Sequence, residues 1–331
     1  MYKLISMSNF YGELKRFDNN YENIKEFLRE YNFDGIELVQ YESWNDKSIP
    51  KNIIKGLHLR FYPIWIDFWR GDKEKLIKKF QNEENIKMIY GSMDKISIVN
   101  QYKKELEIAQ KLDVEYVVFH VCHVDILECY TYDFKYSDEE IIDETIDLIN
   151  TIFDGNEYSF KLLFENLWWP GLTLKNRQLV QKLIDRVEYN NVGIMLDTGH
   201  LINTNTDIEN IEQAVEYILN ILKNLGETKR YIKGIHLNYS LSGKYVMESI
   251  NKYTDNKIDY DFIRMYKEVY SHIINIDRHK PFIHNRVCDI IKELDLDFLI
   301  YEFITDSLKE LKEFIEIQDK YLNDSIRPPL L

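Results

Sequence analysis

The sequence predicts a (β/α)8 barrel of the α/β class, on three observations. Eight short apolar runs recur along the 331 residues. Amphipathic stretches separate most of them. Six consecutive runs end in a histidine or a carboxylate. In order, the strand candidates are Lys3–Met7, Gly35–Val39, Gly56–Leu59, Tyr116–His120, Leu162–Glu165, Gly193–Leu196, Lys233–Leu237 and Phe298–Glu302. Helical spacing of apolar residues (i, i+3, i+4) marks Tyr21–Tyr31, Ile141–Ile152, Leu174–Val187, Ile208–Leu225 and Ser307–Tyr321. Strands alternating with helices pair in parallel through right-handed crossovers, and eight such units close a barrel.

Two connections are long, Arg60–Glu115 after the third strand and Asn238–Asp297 after the seventh. Loops of that length are functional or carry structure of their own. No internal repeat, low-complexity tract or linker divides the chain, so residues 1–331 read as one domain.

Composition narrows the function classes. Apolar residues make up 45% and charged residues 30%, which is ordinary for a folded protein. No run approaches the ~20 apolar residues of a membrane span, and the first residues read as a strand, not as a signal peptide. No membrane partner is expected. Cys122, Cys129 and Cys288 are few and odd in number, which suits a reducing cytoplasmic setting. A net charge of −14 argues against a broad nucleic-acid surface, although divalent cations would invert the field locally. An oligomer is left open.

The chemistry lies at the strand ends, where a barrel builds its site. The third strand ends in His58 and the fourth in His120, with His123 just beyond. The fifth ends in Glu165-Asn166, the sixth in Asp197-Thr198-Gly199-His200, the seventh in His236-Leu237-Asn238 and the eighth in Glu302. A lone strand-end histidine is commonly structural, but six in succession require pairing or coordination. Carboxylates gathered without a cation would be driven far from their normal titration range. A divalent metal removes that cost. Histidine and carboxylate ligands without a strand-end cysteine suit zinc first, with manganese, iron or cobalt as alternatives; no organic cofactor is implied.

These strand ends are similar to those of the xylose isomerase-like barrels. That superfamily includes sugar isomerases and epimerases and the endonuclease IV group of abasic-site nucleases. The shared tetrad would be Glu165, Asp197, His236 and Glu302. In the sugar enzymes such a tetrad holds one metal and its two glutamates move protons. The sequence carries more than the tetrad. His58, His120, Asp197-Thr-Gly-His200, His236-Leu-Asn238 and Asp277-Arg278-His279 resemble the endonuclease IV pattern. That resemblance implies three metals. His58, His120 and Glu165 would hold one. Glu165, Asp197, His236 and Glu302 would hold the second, and His200, Asp277 and His279 the third. The chain departs from the pattern at Tyr239, at Lys280-Pro281-Phe282, in the spacing from His236 to Asp277, and at Trp168-Trp169 beside Glu165.

Two reactions follow. A multinuclear site suits phosphoester hydrolysis, with Glu165 and Asp197 on the attacking water. A mononuclear site suits sugar or sugar-phosphate isomerisation or epimerisation, with Glu165 and Glu302 as acid and base. Hydrolysis of the endonuclease IV type is the leading expectation. A non-catalytic metal or ligand-binding protein and an iron-dependent oxidative enzyme are the remaining readings. The substrate would be a small phosphorylated or sugar-like molecule, or abasic DNA. Glu37, Arg60, Trp168, Trp169, Asn238 and Arg278 are the expected substrate contacts, and His123 an outer partner of the ligands.

Overall fold

The computed structural model describes residues 1–41, 44, 49–254 and 260–322. Eight parallel strands close a barrel in sequence order. They are β1 (Tyr2–Ser8), β2 (Gly35–Val39), β3 (Ile54–His58), β4 (Tyr116–His120), β5 (Lys161–Glu165), β6 (Val192–Asp197), β7 (Ile232–Leu237) and β8 (Phe298–Tyr301). β1 pairs with both β2 and β8, so no edge is left open.

The period of two along a strand explains the site's position. Leu4, Tyr116, Val118, Leu163, Met195, Phe298 and Ile300 form a buried cluster separate from the main core. These are the inward residues that fill the barrel. Two positions further along, the same inward face presents His120 after Val118, Glu165 after Leu163, Asp197 after Met195 and Glu302 after Ile300. The lower layers are apolar and the top layer is ionisable. Strand register aligns that layer laterally, with His120 opposite Glu165 and Asp197 opposite His236.

Helices cover the outside. Asp138–Phe153 starts with a capping box, Ser137 and Glu140 satisfying each other's backbone N–H groups. It buries Ile141, Ile142, Ile149 and Ile152. Ile211–Leu225, capped by Asn210, buries Ala214, Val215, Ile218 and Leu222. No helix among the described residues is long and apolar enough to cross a membrane. Cys122, Cys129 and Cys288 are free and buried.

Both long connections are structured. The one after β3 contains Ile66–Arg70, Lys73–Phe80, Glu83–Tyr90 and Ile96–Leu112. The one after β7 contains Gly243–Thr254 and Phe262–Ile276. The second excursion is pinned where it leaves and returns. Tyr239 and Lys280 exchange backbone hydrogen bonds of 2.7 and 3.0 Å. Ser240 Oγ accepts from the N–H groups of Arg278 (2.9 Å) and His279 (3.3 Å). The wide spacing between His236 and Asp277 in sequence is therefore closed in space.

A candidate metal centre at the barrel mouth

The strand-end residues converge on Glu165. Its Oε2 lies 3.1 Å from His58 Nε2 and 3.3 Å from His120 Nε2. Its Oε1 lies 3.1 Å from His236 Nδ1 and 3.3 Å from His200 Nδ1. His236 Nδ1 is also 3.3 Å from Glu302 Oε2. His58, His120 and Glu165 have donor atoms within 4.8 Å of one another, as do Glu165, Asp197, His236 and Glu302. The third expected set also meets. Asp277 Oδ2 is 3.1 Å from His200 Nε2 and 2.6 Å from His279 Nε2. Asp197, His200 and His279 form a further such group. The nine expected ligand residues thus share one mouth.

The outer nitrogen of most of these rings is fixed. His200 Nδ1 donates to the Asn166 carbonyl (2.9 Å), His279 Nδ1 to the Glu302 carbonyl (3.2 Å) and His58 Nδ1 to the Leu59 carbonyl (3.4 Å). A carbonyl oxygen has only lone pairs, so each of these nitrogens carries the proton. His236 is turned the other way, Nε2 donating to Glu37 Oε2 at 3.0 Å. In the neutral ring the inner nitrogen of each then presents a lone pair to a carboxylate. That arrangement is repulsive unless a proton or a cation lies between them.

Without metal, protons fill that role. Burial pushes His200, His236 and His279 down, but the surrounding carboxylates outweigh it. Asp277 and Glu302 bring His279 up to about 9. Asp197 and Asp277 raise His200, and Glu302, Glu37 and Glu165 raise His236. His120 is the exception, since burial takes it down to about 3. Burial also lifts Asp197 to about 7. His120 Nδ1 and Glu302 Oε2 are buried without a hydrogen-bond partner, the condition in which donor atoms suit a coordinated ion.

The neighbours hold this geometry. Asp197 caps the helix Thr198–Asn203, its Oδ1 accepting from the His200 N–H at 2.6 Å. Asn166 brackets the Asp197 backbone, donating to its carbonyl (3.0 Å) and accepting from its N–H (2.8 Å). Gly199 must lack a side chain, because a Cβ there would lie 1.9 Å from Asn238 Oδ1. His279 adopts φ +44°, a left-handed backbone uncommon outside glycine.

The expected substrate contacts divide. Trp168 packs 5.1 Å from the His200 ring, and Arg278 is exposed between Asp277 and His279. The others are placed differently. Trp169 is 1% exposed and packs on Trp168, so it backs that ring instead of facing the mouth. Asn238 is fully buried and donates to Asp197 Oδ2 at 2.6 Å, a contact that orients a carboxylate. The Arg60 N–H donates to Glu105 Oε2 at 2.8 Å and its Nε lies 3.6 Å from Glu105 Oε1. Glu37 is fully buried. β2 continues two residues beyond it to Val39, which pairs with His58, so Glu37 lies one layer below the mouth. His123 Nδ1 accepts from the Trp65 (3.1 Å) and Ile66 (3.3 Å) N–H groups.

Sequence reasoning did not single out Tyr116, which donates to Glu37 Oε2 at 2.8 Å. It also passed over Lys79, Asp67, Asp125 and Glu128. His123, Asp125 and Glu128 form another close group, and Lys79 Nζ bridges Asp67 (2.6 Å) and Asp125.

The chain belongs to the xylose isomerase-like TIM barrel family, whose description matches residues 92–294. Inosose isomerase of Bacillus subtilis (strain 168) is 27% identical over 118 residues, which are 35% of this chain and 40% of that protein. The crystal structure of the IOLI protein with a binding zinc atom shares the fold at 16% identity and a TM-score of 0.52, covering 97% of this chain and 96% of that one. Endonuclease IV from Thermus thermophilus does so at 13% identity and a TM-score of 0.51, covering 98% and 100%. Enzymes are therefore found among the proteins it resembles, and their reactions differ.

Proposed function

We propose that the protein is a metal-dependent phosphoester hydrolase with up to three divalent ions at the barrel mouth. The observation that carries this reading is the assembly of a third donor group, His200, Asp277 and His279, beside the tetrad. One metal on Glu165, Asp197, His236 and Glu302 has no use for that group. His58, His120 and Glu165 would hold one ion, the tetrad the second with Glu165 shared, and the third group the last. Zinc fits the donor set, and the zinc found in the IOLI structure agrees with that choice. Bound ions would polarise a phosphoryl oxygen and lower the pKa of water.

The chain's own residues supply the rest. Glu165 and Asp197 are placed to accept a proton from the attacking water, and Asn166 and Asn238 hold Asp197 in orientation. Arg278, exposed beside the third group, suits a phosphate oxygen. Trp168, itself buried at 6% exposure, packs between Trp169 and His200 and would shape the mouth by holding the His200 ring.

A second reading is sugar or polyol isomerisation at the tetrad, with Glu165 and Glu302 moving the proton. The likeness to inosose isomerase favours it. Protein purified without chelator separates the two. Two or three zinc ions per chain with phosphodiester cleavage supports hydrolysis. A single ion with solvent deuterium entering an inosose or a ketose supports isomerisation. Abasic duplex is the nucleic-acid substrate to assay, and its binding should weaken steeply with salt.

A further inference from the structure

We propose that Glu37 and Tyr116 are a positioning pair inside the barrel that decides which nitrogen of His236 faces the metal centre. This rests on the reading of His236 as a ligand. Glu37 on β2, Gly56 on β3 and Tyr116 on β4 are register partners in one layer beneath the mouth. Tyr116 rises through the apolar interior, its ring 4.2 Å from Phe298. It does so because position 56 is glycine, where a Cβ would lie 2.3 Å from Tyr116 Cζ. Its hydroxyl donates to Glu37 Oε2 at 2.8 Å, and the same oxygen accepts from His236 Nε2 at 3.0 Å.

The consequence is a defined tautomer. His236 Nδ1 faces Glu165 Oε1 (3.1 Å) and Glu302 Oε2 (3.3 Å), two carboxylates that would attract the ring proton inward. A proton there blocks coordination. Glu37 holds the second ring proton on Nε2 from the opposite side, so the Nδ1 proton is the one an arriving ion displaces. Tyr116 holds the Glu37 carboxylate in the rotamer that does this. A chain of three side chains from three strands thus fixes the orientation of one ligand ring, and which of its nitrogens loses its proton, before any ion arrives.

The test uses Glu37→Gln and Tyr116→Phe, both nearly isosteric, with zinc affinity measured by chelator competition. Outer partners of metal-bound histidines typically contribute 10–100-fold in affinity. Glu37→Gln should lose affinity toward about 100-fold, and Tyr116→Phe about 10-fold. Both losses should fall on the ion held by His236 and leave the third donor group intact. The double variant should bind no more weakly than Glu37→Gln, because Tyr116 acts through Glu37. In the 15N spectrum of the zinc-loaded wild type, His236 should carry its proton on Nε2, and that signal should shift in both variants. Wild-type zinc affinity and an unchanged His236 signal in the variants would overturn the pair while leaving the metal site standing. A wild-type protein that binds no zinc at the mouth would overturn both.

Discussion

Two buried groups of histidine and carboxylate lie at the end of this barrel, and a lysine bridges the carboxylates of only one of them. At the mouth, His58, His200, His236 and His279 anchor their outer N–H groups and turn lone pairs onto Glu165, Asp277 and Glu302. Beside the β4 connection, His123 is reversed. Its Nδ1 accepts two backbone N–H groups, so its proton sits on Nε2, 3.6 Å from Asp125 Oδ1. The cation there is already built in, as Lys79 between Asp67 and Asp125. Proximity of His, Asp and Glu is common to both groups. The direction of the ring protons and the presence of a lysine separate the proposed coordination site from a salt-bridge network.

The largest effect is expected at Lys79. Lys79→Met removes the buried cation between Asp67 and Asp125, leaves them only the more exposed Lys75 (3.8 Å) and Lys135 (3.1 Å), and should cost up to about 3 kcal/mol in urea unfolding. Added zinc should not restore it. Metal removal should act on the other group alone. Chelation should lower the thermal midpoint of the wild type, since an ion at 100 times its dissociation constant contributes about 2.7 kcal/mol. Lys79→Met should show the same chelator shift from its lower starting point.

Both groups should weaken in acid, but only the mouth should also weaken at the alkaline end of the pH scale. Asp67 and Asp125 are held below their ordinary values; burial raises them, but Lys79 and, for Asp125, His123 outweigh it. Their stabilisation is present above the unfolded value near ~3.9 and lost as pH falls below it. His279 is raised to about 9. In metal-free protein its contribution is full below ~6.5 and lost as pH climbs through about 9. Loading with zinc should flatten that alkaline arm and release protons, measurable by calorimetry in buffers of different ionisation enthalpy. The part of the acid arm that belongs to Asp67 and Asp125 should be indifferent to zinc, whereas the part that belongs to Glu165 and Asp277 should not. The smallest expected effect is His279→Ala, which should remove one ion per chain from metal analysis and leave the tetrad loaded.

Much of this was legible in the sequence. The eight strands fall within one or two residues of their expected bounds, because inward positions alternate with a period of two and the ligands extend that alternation. Six mouth residues, His58, His120, Glu165, Asp197, His236 and Glu302, announced themselves by ending apolar runs, whereas His200, Asp277 and His279 were legible only through their resemblance to a known pattern. What could not be read was depth and direction. Glu37 follows an apolar pair as the others do, yet β2 runs two residues further and buries it a layer down. Asn238 and Trp169 lie next to ligands in sequence but turn toward Asp197 and Trp168. Tyr116 reads as an ordinary first residue of a strand. Only the register that sets it beside Gly56 shows that its hydroxyl reaches Glu37. The return of Asp277–His279 after a long excursion rests on the Tyr239–Lys280 backbone pair, which leaves no mark in composition.

On the proposed reading the mouth takes up external cations and the Lys79 group does not. Crystals of zinc-loaded protein, measured on both sides of the zinc absorption edge, test it directly. Anomalous peaks are expected among Glu165, His58, His120, His236 and His279, with none beside His123, Asp125 and Glu128. An empty mouth, or a peak at His123, would contradict it.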